Sequence, residues 1–377
     1  MNGEEVLSTV LDMVYLISCA VNETAPDPGR ILAMDLTEIY AIAERHLLTA
    51  AVAMALESAG YRDERSARTV AASVRRTALF DAERTAVLQK LEEAGIWHMP
   101  LKGSVLKDLY PMPGMRQMSD VDILYDASRT EDLRIIMKGF GFYTDQNSGS
   151  SIHDHYFKPP VCNFEMHRVL FGPGHDERFI EYYQDVKNRL LPDEGSACRY
   201  HFNGEDFYIY MIAHEYKHYS YGGTGLRSLL DTYVFCRQMG KKLDWGYITG
   251  ELYKLDIADF EEQNRSLALH LFEGKALTEQ DRAMLDYIVS SGTYGTVQNR
   301  VRNKLTAYGG STAARYRYML DRFFVPVRRR SKNYAAFACA YPFFYRNKLL
   351  LPLLPAYRLG RHWPRVKAEL RILFRIK

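Results

Sequence analysis

The chain has 377 residues, of which 47% are hydrophobic and 25% are charged, which is ordinary for a soluble globular protein of two or three domains. Its five cysteines are scattered and form no CxxC pair, which argues against a disulfide framework or a zinc ribbon and favours a reducing compartment. No run approaches the roughly 18 apolar residues of a membrane span, and acidic residues near the N-terminus argue against a secretory signal, so we expect a cytoplasmic location.

Helical patterns fill residues 1–95, which we predict to be an N-terminal helical domain. Apolar residues at helical spacing predict a first helix near residues 6–17, before Pro26. We predict a second helix over residues 36–58 and a third, charged on one face, over residues 63–94. Nothing in this region indicates a functional site, so we expect it to pack against the region that follows.

Residues 96–200 change to a mixed pattern in which short apolar segments alternate with helical ones. The predicted order is a strand at 96–101, a helix at 104–110, a strand at 121–125, a helix at 130–139 and strands at 142–145, 152–158 and 162–170. A strand–helix–strand unit followed by antiparallel strands predicts a small mixed sheet with helices on one face. The predicted fold class is therefore α+β, with this sheet between helical regions.

Two aspartates, Asp120 and Asp122, frame Val121 at the start of the second predicted strand. Alternate residues of a strand point to the same face, so both carboxylates are expected to project together. Two carboxylates held so close repel each other unless a cation lies between them. Hard oxygen ligands at this spacing suit Mg²⁺ or Mn²⁺ better than zinc.

Gly103 and Ser104 lie where the first predicted strand hands over to a helix. Free backbone N–H groups and the helix dipole favour a phosphate at such a turn. Lys102 and Arg116 flank it, and we expect both to contact triphosphate oxygens. Surface ion pairs are the alternative role for these two cations. A phosphate cradle beside a metal-binding carboxylate pair indicates phosphoryl or nucleotidyl transfer.

The turn at residues 102–104, Arg116 and the segment at residues 119–124 together resemble the polymerase β-type nucleotidyltransferase superfamily. More narrowly, they are similar to a family of uncharacterised bacterial nucleotidyltransferases often found near polysaccharide-biosynthesis genes. The resemblance is good over residues 96–170 and looser to about residue 235. It implies a palm at residues 96–200 and Mg²⁺- or Mn²⁺-dependent transfer of a nucleoside monophosphate from an NTP, such as ATP, to a hydroxyl acceptor.

Glu165 occupies the strand position at which the resembled family carries a third carboxylate, and His167, also common there, lies on the same face. The resemblance implies that Glu165 completes the metal site with Asp120 and Asp122 and helps to deprotonate the acceptor. Alternatively, Glu165 and His167 simply face solvent from an edge strand.

A competing motif lies in the next predicted helix, where residues 214–218 match the HExxH pattern of zinc peptidases. In that alternative, His214 and His218 bind zinc. Lys217 at a free position and the lack of a recognisable third ligand argue against it. His153, His155 and His175 also show no metal-binding spacing.

The resemblance offers another role for this region, because the family carries a histidine-containing helix followed by an arginine and an aspartate in the next one. Here these residues are His218, Arg227 and Asp231, and we expect them to orient the helical lobe over the palm. Arg227 and Asp231 are four residues apart and could pair on one helix face.

The chain continues with a predicted helical domain at 201–310 and ends in a basic, aromatic-rich segment at 311–377. Residues 321–377 hold 14 Lys and Arg against two acids, so the net charge of +3 conceals an acidic remainder. This segment could contact a membrane surface peripherally, bind nucleic acid or dock on the rest of the chain. No dedicated nucleic-acid module is recognisable.

The acceptor is not specified by the sequence and could be a small molecule, a sugar, a tRNA end or a protein side chain. Two non-enzymatic alternatives also remain open. The protein could bind nucleotide without turnover, or it could be an accessory protein of polysaccharide biosynthesis at the inner membrane surface.

Overall fold

The computed structural model describes residues 3–144, 152–309, 311–324, 337–338 and 341–375, and its helices and strands confirm the α+β class. The helices of these residues are α1 (Gly3–Val21), α2 (Pro28–Leu32), α3 (Leu36–His46), α4 (Thr49–Ser58), α5 (Glu64–Glu93), α6 (Gly103–Leu106), α7 (Thr130–Gly139), α8 (Glu177–Tyr183), α9 (Gly204–Tyr221), α10 (Leu226–Met239), α11 (Trp245–Lys254), α12 (Ala258–Phe272), α13 (Glu279–Ser291), α14 (Val297–Ala307), α15 (Thr312–Phe324), α16 (Pro342–Arg346), α17 (Leu354–Arg361) and α18 (Trp363–Arg375). The strands are β1 (His98–Pro100), β2 (Val121–Tyr125), β3 (Tyr143–Thr144), β4 (His153–Lys158), β5 (Cys162–His167), β6 (Leu191–Pro192) and β7 (Tyr200–His201).

The main sheet has five strands in the order β1-β2-β5-β4-β3. β2 runs antiparallel to β1 but parallel to β5, and β5 pairs antiparallel with β4, so the predicted mixed sheet is confirmed. The register places Asp122 beside Glu165 across the parallel pair. It also places His153 opposite His167 in the β4–β5 hairpin. The sheet thus brings polar residues from three strands to one face.

β2 is buried at all five positions because both faces of the sheet are covered there. Its residues Val121 and Ile123 pack with apolar residues of α5 and α7 on one face. On the other face, Leu124 packs in a cluster that includes Tyr210 of α9. The expectation of helices on one face was therefore too simple, since α9 crosses the face that carries the polar residues.

The prediction of a single helix over residues 36–58 is wrong, because the chain forms α3 and α4 with a break between them. Leu47 ends α3 in the left-handed conformation, with φ of 56°. The break exposes the first turn of α4, where the Thr49 hydroxyl and the Ala50 N–H donate to Gln117 Oε1 at 2.9 and 3.0 Å. Helical periodicity continues across this break, so the sequence pattern did not reveal it.

The helices before and after the sheet share one hydrophobic core. Apolar residues of α1, α3 and α4 pack in the same cluster as residues of α10, α12 and α13. Ile39 and Leu56 represent the first group, and Leu230, Leu267 and Leu285 the second. The predicted regions 1–95 and 201–310 are therefore separate in sequence but joined in packing.

In the C-terminal segment, the described part of the chain packs on α14. Val301 and Leu305 form a small apolar cluster with Tyr318 of α15 and Leu373 of α18. Glu369 accepts a hydrogen bond from Arg300 at 3.1 Å. The basic run at 328–330 lies outside the described residues, and the peripheral membrane role of residues 321–377 stays a prediction. Among the helices of the described residues, none has both the length and the apolar character needed to cross a membrane.

Candidate active site

A cleft of about 430 Å³ lies between the polar face of the sheet and helices α9 and α10. The structure brings most of the predicted site residues to its walls. Those that line the cleft are Lys102, Gly103, Arg116, Asp120, Asp122, Glu165, His167, His218, Arg227 and Asp231.

Asp122 lies at the floor of the cleft and is 4% exposed. Its Oδ1 accepts hydrogen bonds from Lys102 Nζ at 3.0 Å and from His167 Nε2 at 2.7 Å. Burial opposes its ionisation, but the charge of Lys102 and the His167 hydrogen bond hold the pKa of Asp122 well below its usual range. Asp122 is therefore ionised.

Asp120 and Glu165 have the opposite electrostatic behaviour. Burial and the neighbouring charge of Asp122 raise the pKa of Asp120. The same two causes raise the pKa of Glu165 to about 7. Three carboxylates in one cleft repel one another, so a cation bound among them would favour their ionised forms. A carboxylate with a pKa near neutrality can also exchange protons at physiological pH.

Lys102 precedes α6 in a conformation that side-chain-bearing residues rarely adopt, with φ of 44°. Strained residues of this kind concentrate at functional sites. Burial disfavours its ammonium, but the carboxylate of Asp122 raises the pKa of Lys102 above its usual value. Gly103 follows, and a Cβ built there would lie 2.5 Å from Arg116 Nη1, so the close approach of Arg116 requires glycine.

Ser104 is not among the residues that line the cleft, and its role in nucleotide binding stays a prediction. Its backbone N–H donates to Leu101 O at 3.1 Å, and its carbonyl accepts from Arg84 Nη1 at 2.8 Å. The residue is buried, with 3% of its surface exposed. α6 is also only four residues long, so a phosphate cradle at Ser104 is not supported by this geometry.

Arg116 lines the cleft but is held by a buried ion pair. It donates from Nε and Nη2 to the two oxygens of Asp231, each at 2.8 Å, and from Nη1 to Met118 Sδ at 3.3 Å. Asp231 is therefore paired with Arg116 instead of with Arg227, whose Nη1 donates to Gln117 O at 2.9 Å. These contacts tie α10 to the loop before β2, and the arginine that we expected to contact triphosphate oxygens binds a carboxylate.

Helix α9 forms the opposite wall and contributes residues of the HExxH motif. The Nε2 atoms of His214 and His218 lie 3.2 Å apart. Glu215, however, accepts hydrogen bonds from Thr232 and Asn264 at 3.4 and 3.1 Å, and it is buried. Within the described residues, no third acidic, histidine or cysteine side chain completes a metal group with this pair. The zinc-peptidase alternative is therefore not supported.

Lys217 of α9 was not predicted to belong to the site, yet it lines the cleft opposite Lys102. Burial and the positive charge of Lys102 lower the pKa of Lys217 to about 7. In the part of the chain that the structure describes, no carboxylate lies within ion-pair distance of its ammonium. Two lysines facing each other across a cleft create a favourable place for an anion.

His153 and His155 were also missed, although they lie beside Glu165. His153 Nε2 is 3.8 Å from Glu165 Oε2, and His155 Nδ1 is 3.5 Å from Glu165 Oε1. Their alternation along β4 was visible in the sequence, and antiparallel pairing with β5 would have placed them on the Glu165 face. The missing information was the register of the hairpin.

The chain matches a family described as uncharacterised nucleotidyltransferase over residues 33–273. No curated protein and no solved structure matches the chain significantly. The matched range begins directly after α2 and ends directly after α12, and it includes every residue of the cleft named above. Because the match covers well over half of the 377 residues, the chain belongs to the family of uncharacterised nucleotidyltransferases.

Proposed function

We propose that this protein transfers a nucleoside monophosphate from an NTP to a hydroxyl acceptor in an Mg²⁺-dependent reaction. The observation that carries the proposal is the convergence of Asp120, Asp122 and Glu165 from two adjacent strands into a cleft that also holds two lysines. The family membership supports nucleotidyl transfer as the reaction class.

The donor set of the cleft fits the divalent cation that this chemistry uses. Asp120, Asp122 and Glu165 provide carboxylate oxygens, which Mg²⁺ and Mn²⁺ prefer as ligands. The raised pKa values of Asp120 and Glu165 reflect crowded negative charge that a cation would relieve. A cation held there would neutralise charge on the reacting phosphate oxygens.

The lysines suggest where the phosphates of the NTP lie. Lys102 projects from the turn before α6, and Lys217 projects from α9 on the other wall. A triphosphate between them would receive charge-assisted hydrogen bonds from both. Arg116 then has a supporting role, because its contacts with Asp231 hold the loop that leads into Asp120.

Glu165 is the best-placed group to accept the proton of the acceptor hydroxyl. In its ionised form, which a bound cation would favour, its carboxylate could accept that proton. The hydroxyl oxygen would form a bond to the α-phosphorus, the bond from that phosphorus to the bridging oxygen would break, and pyrophosphate would leave. The acceptor remains open among small molecules, sugars, tRNA ends and protein side chains.

Calorimetric binding of each of the four NTPs with Mg²⁺ tests the proposal. We expect at least one NTP to bind the wild-type protein with Mg²⁺ and to lose its binding in Asp120→Asn/Asp122→Asn. Asp108→Asn is the matched control, since Asp108 is an exposed aspartate of the same region outside the cleft. If no NTP binds the wild type, or if the double variant binds normally, the proposal is wrong.

Turnover requires a second measurement, namely pyrophosphate release in the presence of acceptors of each class. Release that depends on an acceptor and on Glu165 would identify the enzyme's second substrate. Binding of NTP without release for any acceptor class would support the non-catalytic alternative.

A further inference from the structure

We propose that the cleft contains a second metal site, formed by His153, Glu165 and His167, that binds a divalent transition metal of the zinc type. This site is distinct from the oxygen ligands assigned to Mg²⁺, although Glu165 would serve both. It does not depend on nucleotidyl transfer, because the three residues can bind a metal without NTP.

Strand pairing builds the site. His153 lies opposite His167 in the antiparallel β4–β5 hairpin, and Glu165 precedes His167 by two residues on the same face. One potential ligand atom from each of the three residues lies within 4.8 Å of the other two. The Glu165 Oε2 atom is 3.8 Å from His153 Nε2 and 3.7 Å from His167 Nε2.

These separations suit one shared cation. Zinc binds imidazole nitrogen and carboxylate oxygen at about 2.0–2.2 Å, so two ligands of a tetrahedral site lie about 3.4 Å apart. Small side-chain adjustments would bring the three atoms to that spacing. His167 Nε2 would give up its hydrogen bond to Asp122 Oδ1, at 2.7 Å, when it binds the metal, and Asp122 could then serve as a fourth ligand that both sites share.

The chemistry of the ligands determines which metals the site would prefer. Two imidazoles and one carboxylate favour borderline cations such as Zn²⁺ over Mg²⁺, which requires oxygen ligands and retains its water. A neutral imidazole can donate a nitrogen lone pair to such a cation. His155 Nε2 lies 3.1 Å from His153 Nε2, so this contact would be released when His153 Nε2 binds the metal.

The HExxH pair provides an internal competitor for this proposal. His214 and His218 also hold two imidazole nitrogens close together, at 3.2 Å. They lack a third ligand among the described residues, whereas His153 and His167 share Glu165. Zinc is therefore expected to bind at the hairpin and not at α9.

Metal binding to the full-length protein without nucleotide tests the proposal. After removal of metals with a chelator, Zn²⁺ and Mg²⁺ are titrated separately by calorimetry, and retained zinc is counted by mass spectrometry. We expect one zinc per chain with an affinity at least about a hundredfold above that for Mg²⁺. His153→Ala and Glu165→Gln should each weaken zinc binding by at least about tenfold.

Two controls keep the result interpretable. His201→Ala, on β7 and outside the cleft, should leave zinc affinity unchanged, as should His214→Ala/His218→Ala. If His153→Ala fails to fold by circular dichroism, His153→Gln replaces it, and Co²⁺ absorption reports the ligands of the wild type directly. Zinc binding that survives both hairpin variants, or that is lost with the α9 pair, overturns the proposal. Neither outcome depends on NTP, so a failure here is separate from a failure of the transferase assignment.

Discussion

The carboxylate of Asp231 accepts hydrogen bonds from two nitrogens of Arg116, Nε and Nη2, each at 2.8 Å. Both side chains are less than 10% exposed. Tyr110 donates a further hydrogen bond to Asp231 at 2.7 Å. A bidentate pair with an additional donor, buried between α10 and the loop before β2, fixes the helical lobe against the strand that carries the aspartates.

Breaking this pair should destabilise the protein strongly. Asp231→Asn leaves the buried guanidinium of Arg116 without its counter-charge, a change that typically costs about 3–5 kcal/mol. We expect a corresponding loss in the free energy of unfolding measured in urea. The control is Glu64→Gln, which removes an exposed pair with Arg68 and should change stability by less than about 1 kcal/mol. Equal effects of the two substitutions would contradict the structural role of the pair.

Gly103→Ala should disturb the same pair from the other side. The new methyl group would lie 2.5 Å from Arg116 Nη1, and Arg116 cannot move away without losing Asp231. We expect a loss of about 1–3 kcal/mol in unfolding free energy, and a smaller loss when Asp231→Asn is already present, because the two changes are coupled.

Gly139→Ala is the matched control for that substitution. Gly139 is the last residue of α7, and a Cβ there would meet nothing within 4 Å. Alanine has the higher helix propensity, so this variant should be neutral or slightly more stable. If Gly103→Ala is equally harmless, Arg116 is less constrained than its contacts indicate.

Lys217 should make NTP binding dependent on pH. Its pKa of about 7 in the free protein means that its ammonium is present below pH 7 and is lost as the pH rises. Since the phosphates attract the charged form, NTP affinity should fall above pH 7 by up to about tenfold per pH unit. Calorimetry at fixed Mg²⁺, at about pH 7.0 and about pH 8.5, would measure this decrease in NTP affinity.

Lys217→Arg provides the comparison, because guanidinium stays charged throughout this range. The ratio of wild-type to Lys217→Arg affinity, followed over pH, separates the ionisation of Lys217 from the ionisation of Glu165 and of the nucleotide. Lys217→Ala should weaken binding about 10–100-fold at pH 7, as expected for a lost charge-assisted hydrogen bond. A parallel pH dependence in wild type and Lys217→Arg would assign the trend to another group.

Glu215 should make the protein less stable as the pH rises. Burial and the charge of Asp231 raise the pKa of Glu215 to about 8 from its ordinary value of 4.5. The folded state therefore holds a proton that the unfolded state releases, and the stability contributed below pH 4.5 is lost progressively as the pH rises to about 8. The slope approaches about 1.4 kcal/mol per pH unit in the middle of this range.

Glu215→Gln keeps the shape of the side chain but cannot ionise. The difference in unfolding free energy between this variant and the wild type should therefore shift in favour of the variant from about pH 5 to about pH 8. Urea unfolding at these two pH values would measure it. A constant difference between the two proteins would mean that Glu215 ionises as easily in the folded as in the unfolded chain.

Local patterns predicted the fold class and the grouping of Asp120, Asp122 and Glu165, whose catalytic roles stay a prediction. The alternation around Asp120 and Asp122 gives the strand and its polar face directly, and the strand at Glu165 follows the same rule. Both depend on neighbours in sequence, so a single chain contains the information. The mixed sheet followed from the order of these segments and is confirmed.

The missed features all depend on distant partners. Arg227 and Asp231 satisfied a local helical spacing, yet Asp231 pairs with Arg116, 115 positions earlier in the chain. His153 joins Glu165 through a hairpin register that alternation alone does not define. The break between α3 and α4 likewise accompanies the contact of Thr49 with Gln117, 68 positions away. Tertiary contacts decided each case.

The shared core of the early and late helices has a consequence for biosynthesis. Chains usually fold from the N-terminus as they leave the ribosome, but α1, α3 and α4 complete their packing only with residues as late as Ile288. Their apolar faces therefore stay exposed to solvent while the sheet and most of the following helices are translated. The nascent chain should be a chaperone client over this interval, and a message truncated after the sheet should yield an aggregating product.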